Sequence, residues 1–418
     1  MSDTGKNSPA YKNAVKVIVI FGLISLFGDV VYEGMRSANG QYLSTIGVKI
    51  SEFAFILGLG EFLAYALRLF AGTASDKTRK YWWFIYAGYG LLIVVPLMGF
   101  TTFLPALLAF MMLERIGKAL RNPSKDTILS NVADNAGGKL GMGFAFGLQE
   151  ALDQVGAVLG PMIFTVVFLI TGGKGTAEYQ MGYKFMFIPF IIVMLVVFLA
   201  HRKVTREKLM EIKDKPAAAE DKLQPVFWIY SVFTFLAVLG FAQFPLIAFH
   251  LKKQEILPDA QITLLYSVVM AVDAVIAIII GFFYDRIKQK TGNKKAGLLT
   301  LLFIPFATAV IPFLTLGSSV PLLIIGLLSY GAVMGAHETI MRSAIADITT
   351  IRKRGTGYGV FNTSYGVALL AGSALFGILY DYLGVFSIQI SFLVIEAAAV
   401  ILFFVMRNMI KHGNTTAP

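Results

Sequence analysis

Hydrophobic residues along this chain come in blocks about 20 residues long, separated by short polar stretches. A block of that length forms a helix able to cross a ~30 Å hydrocarbon layer. Twelve blocks are predicted, over residues 15–38, 50–73, 82–102, 104–122, 141–171, 183–201, 226–250, 260–284, 296–317, 320–347, 355–383 and 386–410. The expected fold class is therefore all-α and integral to the membrane, with twelve transmembrane helices. The first block is expected to be a membrane span and not a cleaved leader, because it is too long and lacks a small-residue cleavage site.

One longer hydrophilic segment interrupts the series. Residues 202–225 are charged and helix-tolerant, and they divide the spans six and six. The expected organisation is a six-helix bundle over 1–201, a linker over 202–225 and a second six-helix bundle over 226–418. The polar ends, 1–10 and 412–418, are expected to be disordered.

The two halves share a further pattern. A long apolar stretch runs into a short polar turn at Gly72-Thr-Ala-Ser-Asp76-Lys77-Thr-Arg79-Lys80, and again at Gly281-Phe-Phe-Tyr-Asp285-Arg286-Ile-Lys288-Gln-Lys290. Each time a Gly stands four residues before an Asp, and basic residues follow. A duplicated half with a charged gate in each copy is how many membrane carriers are built.

Composition sharpens this picture. The chain is 56% hydrophobic and 15% charged, with a mean hydropathy of +0.71. A soluble domain carries about 25% charged residues. An even number of spans puts both termini on one side. With the termini inside, the outer loops receive only Arg36, Lys49, Lys174, Lys184, Lys252 and Lys253, while Arg68, Arg115 and Arg342 lie within helices. The other Lys and Arg collect in the inner loops, so both termini are expected in the cytoplasm of a cell-membrane protein. An anionic inner leaflet attracts those loops, which accounts for the net charge of +11 without nucleic acid. The absence of cysteine excludes disulfides and thiolate metal sites.

Six plus six helices, a central linker and the duplicated Gly-x-x-x-Asp turn together resemble the major facilitator superfamily over essentially the whole chain. The Gly72–Lys80 stretch looks like that family's motif between helices two and three, without its usual Gly after the Asp. The resemblance implies gating roles for Gly72, Asp76, Arg79, Lys80, Gly281, Asp285 and Arg286. Each Asp would sit against a helix start from the other half, near Gly355 for Asp76 and near Gly141 for Asp285. Gly156-Ala-Val-Leu-Gly160-Pro161 in the fifth span is similar to the antiporter motif of the superfamily, although the trailing Gly pair is missing. Read without the resemblance, Gly156 and Gly160 form a helix-packing face and Pro161 bends the span. Arg115, within Glu114-Arg115-Ile-Gly117-Lys118, resembles the helix-four arginine that influences a nearby acidic proton carrier.

Ionisable residues inside spans are costly, about 2.5–3.5 kcal/mol each at the helix centre, and persist when paired or useful. The first half carries Asp29, Glu33, Arg36, Glu61, Arg68, Glu114, Arg115, Glu150 and Asp153; the second carries Asp273, His337, Glu338, Arg342 and Glu396. Gly22, Ser25, Asp29, Glu33 and Arg36 share one face of the first helix, which is expected to line a cavity. Glu33 reads as a partner of Arg36 or as part of that cavity. Asp29 lies deeper, with Arg115 as its expected neighbour. Glu114, Lys118 and Arg121 share a stripe and are expected to satisfy one another. Glu61, with Arg68, reads as a brace or as cavity lining. Asp153 and Asp273 are expected to face each other, one of them holding a proton, or each to bind separate polar groups. The cavity or proton-coupling set is thus Asp29, Glu33, Glu61, Arg115, Glu150, Asp153, Asp273 and Glu338.

No Gly-x-x-x-x-Gly-Lys-Ser/Thr loop is present, so ATP is not the direct energy source, and no constellation for covalent catalysis or for a cofactor is found. The expectation is a monomeric secondary transporter, not an enzyme. Its partners would be a small-molecule substrate, protons and the bilayer, and export of organic solutes in exchange for protons fits best. A divalent-metal exporter using Asp29, Glu33, Glu150 or Asp153 is the alternative within transport, and a non-transporting receptor lies outside it.

Overall fold

The computed structural model describes residues 9–135, 142–173, 175–206, 223–291, 294–349 and 354–413. Most of the 202–225 segment and parts of both ends lie outside the described residues, as does Gly141. Among the described residues the chain is helical, in twelve long elements. They are α1 (Pro9–Thr45), α2 (Ile50–Thr78), α3 (Tyr81–Phe100), α4 (Leu104–Asn135), α5 (Met142–Thr171), α6 (Thr176–Arg206), α7 (Pro225–Lys253), α8 (Asp259–Thr291), α9 (Ala296–Thr315), α10 (Val320–Ile348), α11 (Arg354–Tyr382) and α12 (Val385–Gly413). Eleven are long and apolar enough to cross a membrane. The other, α4, is as long but carries Glu114, Arg115, Lys118, Arg121 and Lys125 along its middle.

Local sequence explains where the helices depart from regularity. In α7 the first segment closes at Gly240 and the second opens with Pro245 in its first turn. In α3 the regular helix gives way after Gly90 to tighter turns around Pro96, which supplies no N–H. In α10 residues His337–Met341 form a π-turn, a widening that often marks functional positions.

The polar stretches expected to be turns at Gly72–Asp76 and Gly281–Asp285 are helical instead. The helices run on to Thr78 and Thr291. Nothing between Gly72 and Thr78 blocks a helix, and the hydroxyls of Thr73, Ser75 and Thr78 bond back to the carbonyls of Leu69, Gly72 and Ala74 at 2.7–2.9 Å. The chain reverses only at Arg79, whose φ is 54°.

Contacts divide the chain into two compact units. The first holds Met1–Tyr42, Ala66–Pro216 and Asp259–Ser267; the second holds Leu43–Tyr65, Ala217–Pro258 and Val268–Pro418. In the first unit, Tyr42, Tyr179, Tyr183, Phe164 and Phe168 pack ring to ring. Their hydroxyls find partners: Tyr42 donates to the Thr101 carbonyl at 2.8 Å and Tyr183 to Asn39 Oδ1 at 2.7 Å. The first turns of α8 join this unit through Thr263, whose hydroxyl lies 2.8 Å from that of Thr165 on α5. In the second unit, the first half of α2 lies against α11, where a Cβ on Gly58 would come within 2.8 Å of the Leu370 Cα. Large apolar side chains face outward, Ile170 at 78% and Ile278 at 76% exposed, as a lipid-facing surface requires.

Candidate functional site

The site in the first unit is built on three helices. α1 presents Ser25, Asp29, Tyr32 and Glu33; α4 presents Glu114, Arg115, Lys118, Arg121 and Lys125; α5 presents Asp153. Close approach of α1 and α5 depends on the two glycines of the fifth span. A Cβ on Gly156 would lie 2.9 Å from the Leu26 carbonyl carbon, and one on Gly160 would lie 2.7 Å from the Gly34 nitrogen. The small residues therefore let the α1 and α5 backbones touch.

Asp29 is half-buried and lies within electrostatic reach of Asp153, Lys118, Glu33 and Lys125. Lys125, itself buried, donates to Ser25 Oγ at 2.8 Å and feels Asp153, Asp126 and Asp29. Lys118 Nζ stands 3.7 Å from the Tyr32 ring centroid and is drawn by Asp29 and Glu33. Two carboxylates and two ammonium groups thus share one low-dielectric region. Fully charged, the four groups balance.

Around this quartet lie charges that are already committed. Glu33, 6% exposed, sits 3.6 Å from Arg36 and accepts 2.7 Å from the Tyr266 hydroxyl. Glu114 is fully buried between Arg115 and Arg121, each at 3.6 Å. Arg115 also donates to the Tyr32 hydroxyl and lies over that ring.

These contacts bear on two expectations. The stripe Glu114, Lys118 and Arg121 satisfies itself in part: Arg121 stands 3.6 Å from Glu114, and Arg115, at the same distance, stands where Lys118 was expected. The cations beside Asp29 are Lys118 and Lys125, where Arg115 was expected, because Tyr32 and Glu114 hold Arg115. Within the first unit Asp153 and Asp29 lie within electrostatic reach of each other. Lys125, Tyr32 and Tyr266 were missed, and Lys118 was read only as a partner of Glu114. Lys125 could have been found by extending the 114, 118, 121 spacing one turn; the tyrosines carry no signal in sequence. Glu150 is exposed. Among the described residues no three His, Asp or Glu side chains converge to hold a metal ion.

Glu61, Asp273 and Glu338 belong to the second unit. There Tyr365 of α11 gathers Tyr65 and Glu61 of α2 with Glu338 and Arg342 of α10. Its hydroxyl lies 3.1 Å from His337 Nδ1, on the π-turn, and its ring centroid is 4.9 Å from that of Tyr65. Asp273 is buried against Gly335. Glu396 is buried beside Gly240 at the break in α7, and among the described residues neither of its oxygens finds a hydrogen-bond partner.

The two repeated segments differ in their bracing. Asp76, Arg79 and Lys80 are exposed, and Asp76 accepts from the Tyr81 hydroxyl at 3.0 Å. Asp285 and Arg286 are exposed too, with Lys288 at 4.0 Å from Asp285. Lys288 is held more tightly by Asp347 of α10, at 2.7 Å, and Tyr284 donates to the same carboxylate at 2.7 Å. Asp347 was not anticipated.

The model of the Major Facilitator Superfamily matches residues 21–337 and 242–417. The chain belongs to this superfamily. It is therefore a multi-pass membrane transport protein and not an enzyme. It is 34% identical over 413 residues to an uncharacterized protein of Mycobacterium tuberculosis, covering 97% of this chain and 96% of that one. It is 27% identical over 128 residues to the class D tetracycline resistance protein of Salmonella ordonez, covering 31% and 32% of the two chains. Its fold is similar to that of the nucleoside transporter NupG, with a TM-score of 0.72 at 14% identity over 94% of this chain and 99% of that chain.

Proposed function

We propose that this superfamily member is a monomeric proton-coupled exporter of small organic solutes, working by alternating access of the bundles 1–201 and 226–418. The observation that carries the coupling is the balanced quartet of Asp29, Asp153, Lys118 and Lys125. Asp29 is the proton carrier: it stands beside a second carboxylate and both lysines. Glu33 and Glu114 are already held by arginines and serve as framework. The segment similar to a tetracycline resistance protein supports export as the direction.

In this reading both termini are cytoplasmic, in the cell membrane. The Gly72–Lys80 and Gly281–Lys288 segments act as gates at that face, braced by Tyr81 on one side and by Asp347 through Lys288 on the other. Their contacts favour one access state and must be exchanged in the other.

The test is transport by purified protein in proteoliposomes carrying an internal pH indicator, screened over cationic drugs, organic anions and divalent metals. The expected result is solute-dependent proton movement, with Asp29→Asn losing uphill accumulation while downhill exchange survives. Uphill accumulation by Asp29→Asn with unchanged pH dependence would overturn the assignment of Asp29. Saturable heat on titration with Mn²⁺ or Co²⁺, lost in Asp29→Asn and Asp153→Asn alike, would replace the organic solute with a divalent metal.

A further inference from the structure

A second feature of the first unit takes no part in the proposed transport path. At the C-terminal end of α6 a cavity of about 980 Å³ opens to the surface, lined by Ile20, Phe198, Leu199, Arg202, Lys203 and Arg206 together with His201 and Thr205. The helix spacing sets its layering. Leu199, Arg202, Lys203 and Arg206 fall on one stripe of α6, with Phe198 and Thr205 beside it. Phe198 and Leu199 are exposed apolar side chains toward the span, 46% and 49% exposed. One turn further on, Arg202 and Arg206 are exposed and Lys203 half-buried. The cavity is thus apolar on the side of the span and cationic on the side of the helix end, and among the described residues none that lines it is acidic.

Aromatic contacts tie the wall to α3 and α1. His201 stacks on Trp82 of α3 with centroids 4.5 Å apart at 24°, and its Nδ1 lies 3.2 Å from the Tyr86 hydroxyl. Trp82 in turn meets Phe21 of α1 at 6.1 Å. Arg202 extends along Phe198, its guanidinium 5.5 Å from the ring. Trp and Tyr at this position match the aromatic belt of a membrane interface, where an apolar ring and a polar edge are both satisfied. A lipid-facing surface that changes from apolar to cationic within one helical turn has the polarity of a phospholipid: acyl chain below, phosphate above.

We propose that this cavity is a binding site for one anionic phospholipid, its phosphate among Arg202, Lys203 and Arg206 and an acyl chain over Phe198, Leu199 and Ile20. The site rests on the orientation proposed above only for the leaflet it occupies, the cytoplasmic one; binding in a micelle is independent of it. Each basic side chain near an anionic lipid surface contributes enough that losing three weakens binding about a hundredfold.

The experiment uses the full chain in a neutral detergent and measures lipid retention by native mass spectrometry, beside the thermal midpoint. Dioleoylphosphatidylglycerol is compared with dioleoylphosphatidylcholine and with inorganic phosphate. The expected result is retained phosphatidylglycerol and a raised midpoint for the wild type, with neither on addition of phosphatidylcholine or phosphate. Arg202→Gln/Lys203→Gln/Arg206→Gln is expected to lose retention while keeping its helical circular dichroism. Thr205→Glu, which leaves every basic side chain in place and adds an acid to the wall, is expected to lose it too. Retention unchanged in both variants, an equal effect of inorganic phosphate, or retention only after residues 207–222 are removed would overturn the proposal. An impermeant-label orientation assay on the same preparation reports the topology separately.

Discussion

Glu33 is held from two sides, by Arg36 one turn along α1 and by Tyr266 from the first turns of α8. A buried carboxylate with one cation at 3.6 Å keeps unsatisfied lone pairs, and a hydroxyl at 2.7 Å supplies the missing donor. The pair is therefore expected to be coupled. A double-mutant cycle of Glu33→Gln and Tyr266→Phe, read from thermal midpoints in detergent, should return about 0.6 kcal/mol and at most ~1.7 kcal/mol, the range found for polar pairs between membrane helices. A coupling of zero would mean that Tyr266 merely packs against α1. The same scale explains the redistribution on α4. A guanidinium adjacent in sequence reaches Glu114 because it is long and planar, which leaves the Lys118 ammonium for the Tyr32 ring and Asp29.

The element that most constrains the site is the contact of α1 with α5. Gly156 and Gly160, four residues apart, present no side chain where the backbones of Leu26, Val30 and Gly34 pass. Adding a branched side chain there forces the helices apart or bends them, at about 1–3 kcal/mol. Gly156→Val and Gly160→Val are each expected to lower the thermal midpoint and to separate Asp153 from Asp29, with proton coupling impaired. Gly147→Ala on the same helix meets no atom within 4 Å and should behave as wild type. A wild-type midpoint in both valine variants would show that the helices can part freely. The continuation of α2 and α8 into their polar segments belongs to this scale as well. Thr and Ser side chains that bond to carbonyls in their own helix keep the polar ends helical, so a change of polarity did not mark a change of secondary structure.

At the scale of the molecule the proposed orientation is directly measurable, because the sequence contains no cysteine. With both termini inside, Ala218→Cys in the linker should react with an impermeant maleimide only after cells are permeabilised. Ser318→Cys, between α9 and α10, should react in intact cells. The reverse pattern would invert the topology and with it the leaflet assigned to the α6 cavity. The two contact units also show what a linear reading does not: residues 43–65 of α2 pack with the second unit and residues 259–267 of α8 with the first.

The sequence by itself determined the class of protein and its helices. Apolar blocks of membrane-spanning length, the excess of basic residues on one set of loops and the duplicated Gly-x-x-x-Asp segments are all local properties, and local spacing is enough to read them. It also placed Asp29 and Asp153 among the residues to watch, because a charge in a span is conspicuous wherever its partners lie. Only the tertiary structure decided the partners. Asp29 meets Lys118 and Lys125 from 89 and 96 residues away along the chain, Glu33 meets Tyr266 from 233 residues away, and Lys288 turns from Asp285 on its own helix to Asp347 on another. The reason is physical. Helical spacing says which side chains share a face, whereas the electrostatic energy of a buried charge depends on which other faces are packed against it, and that is a property of the assembled helices alone.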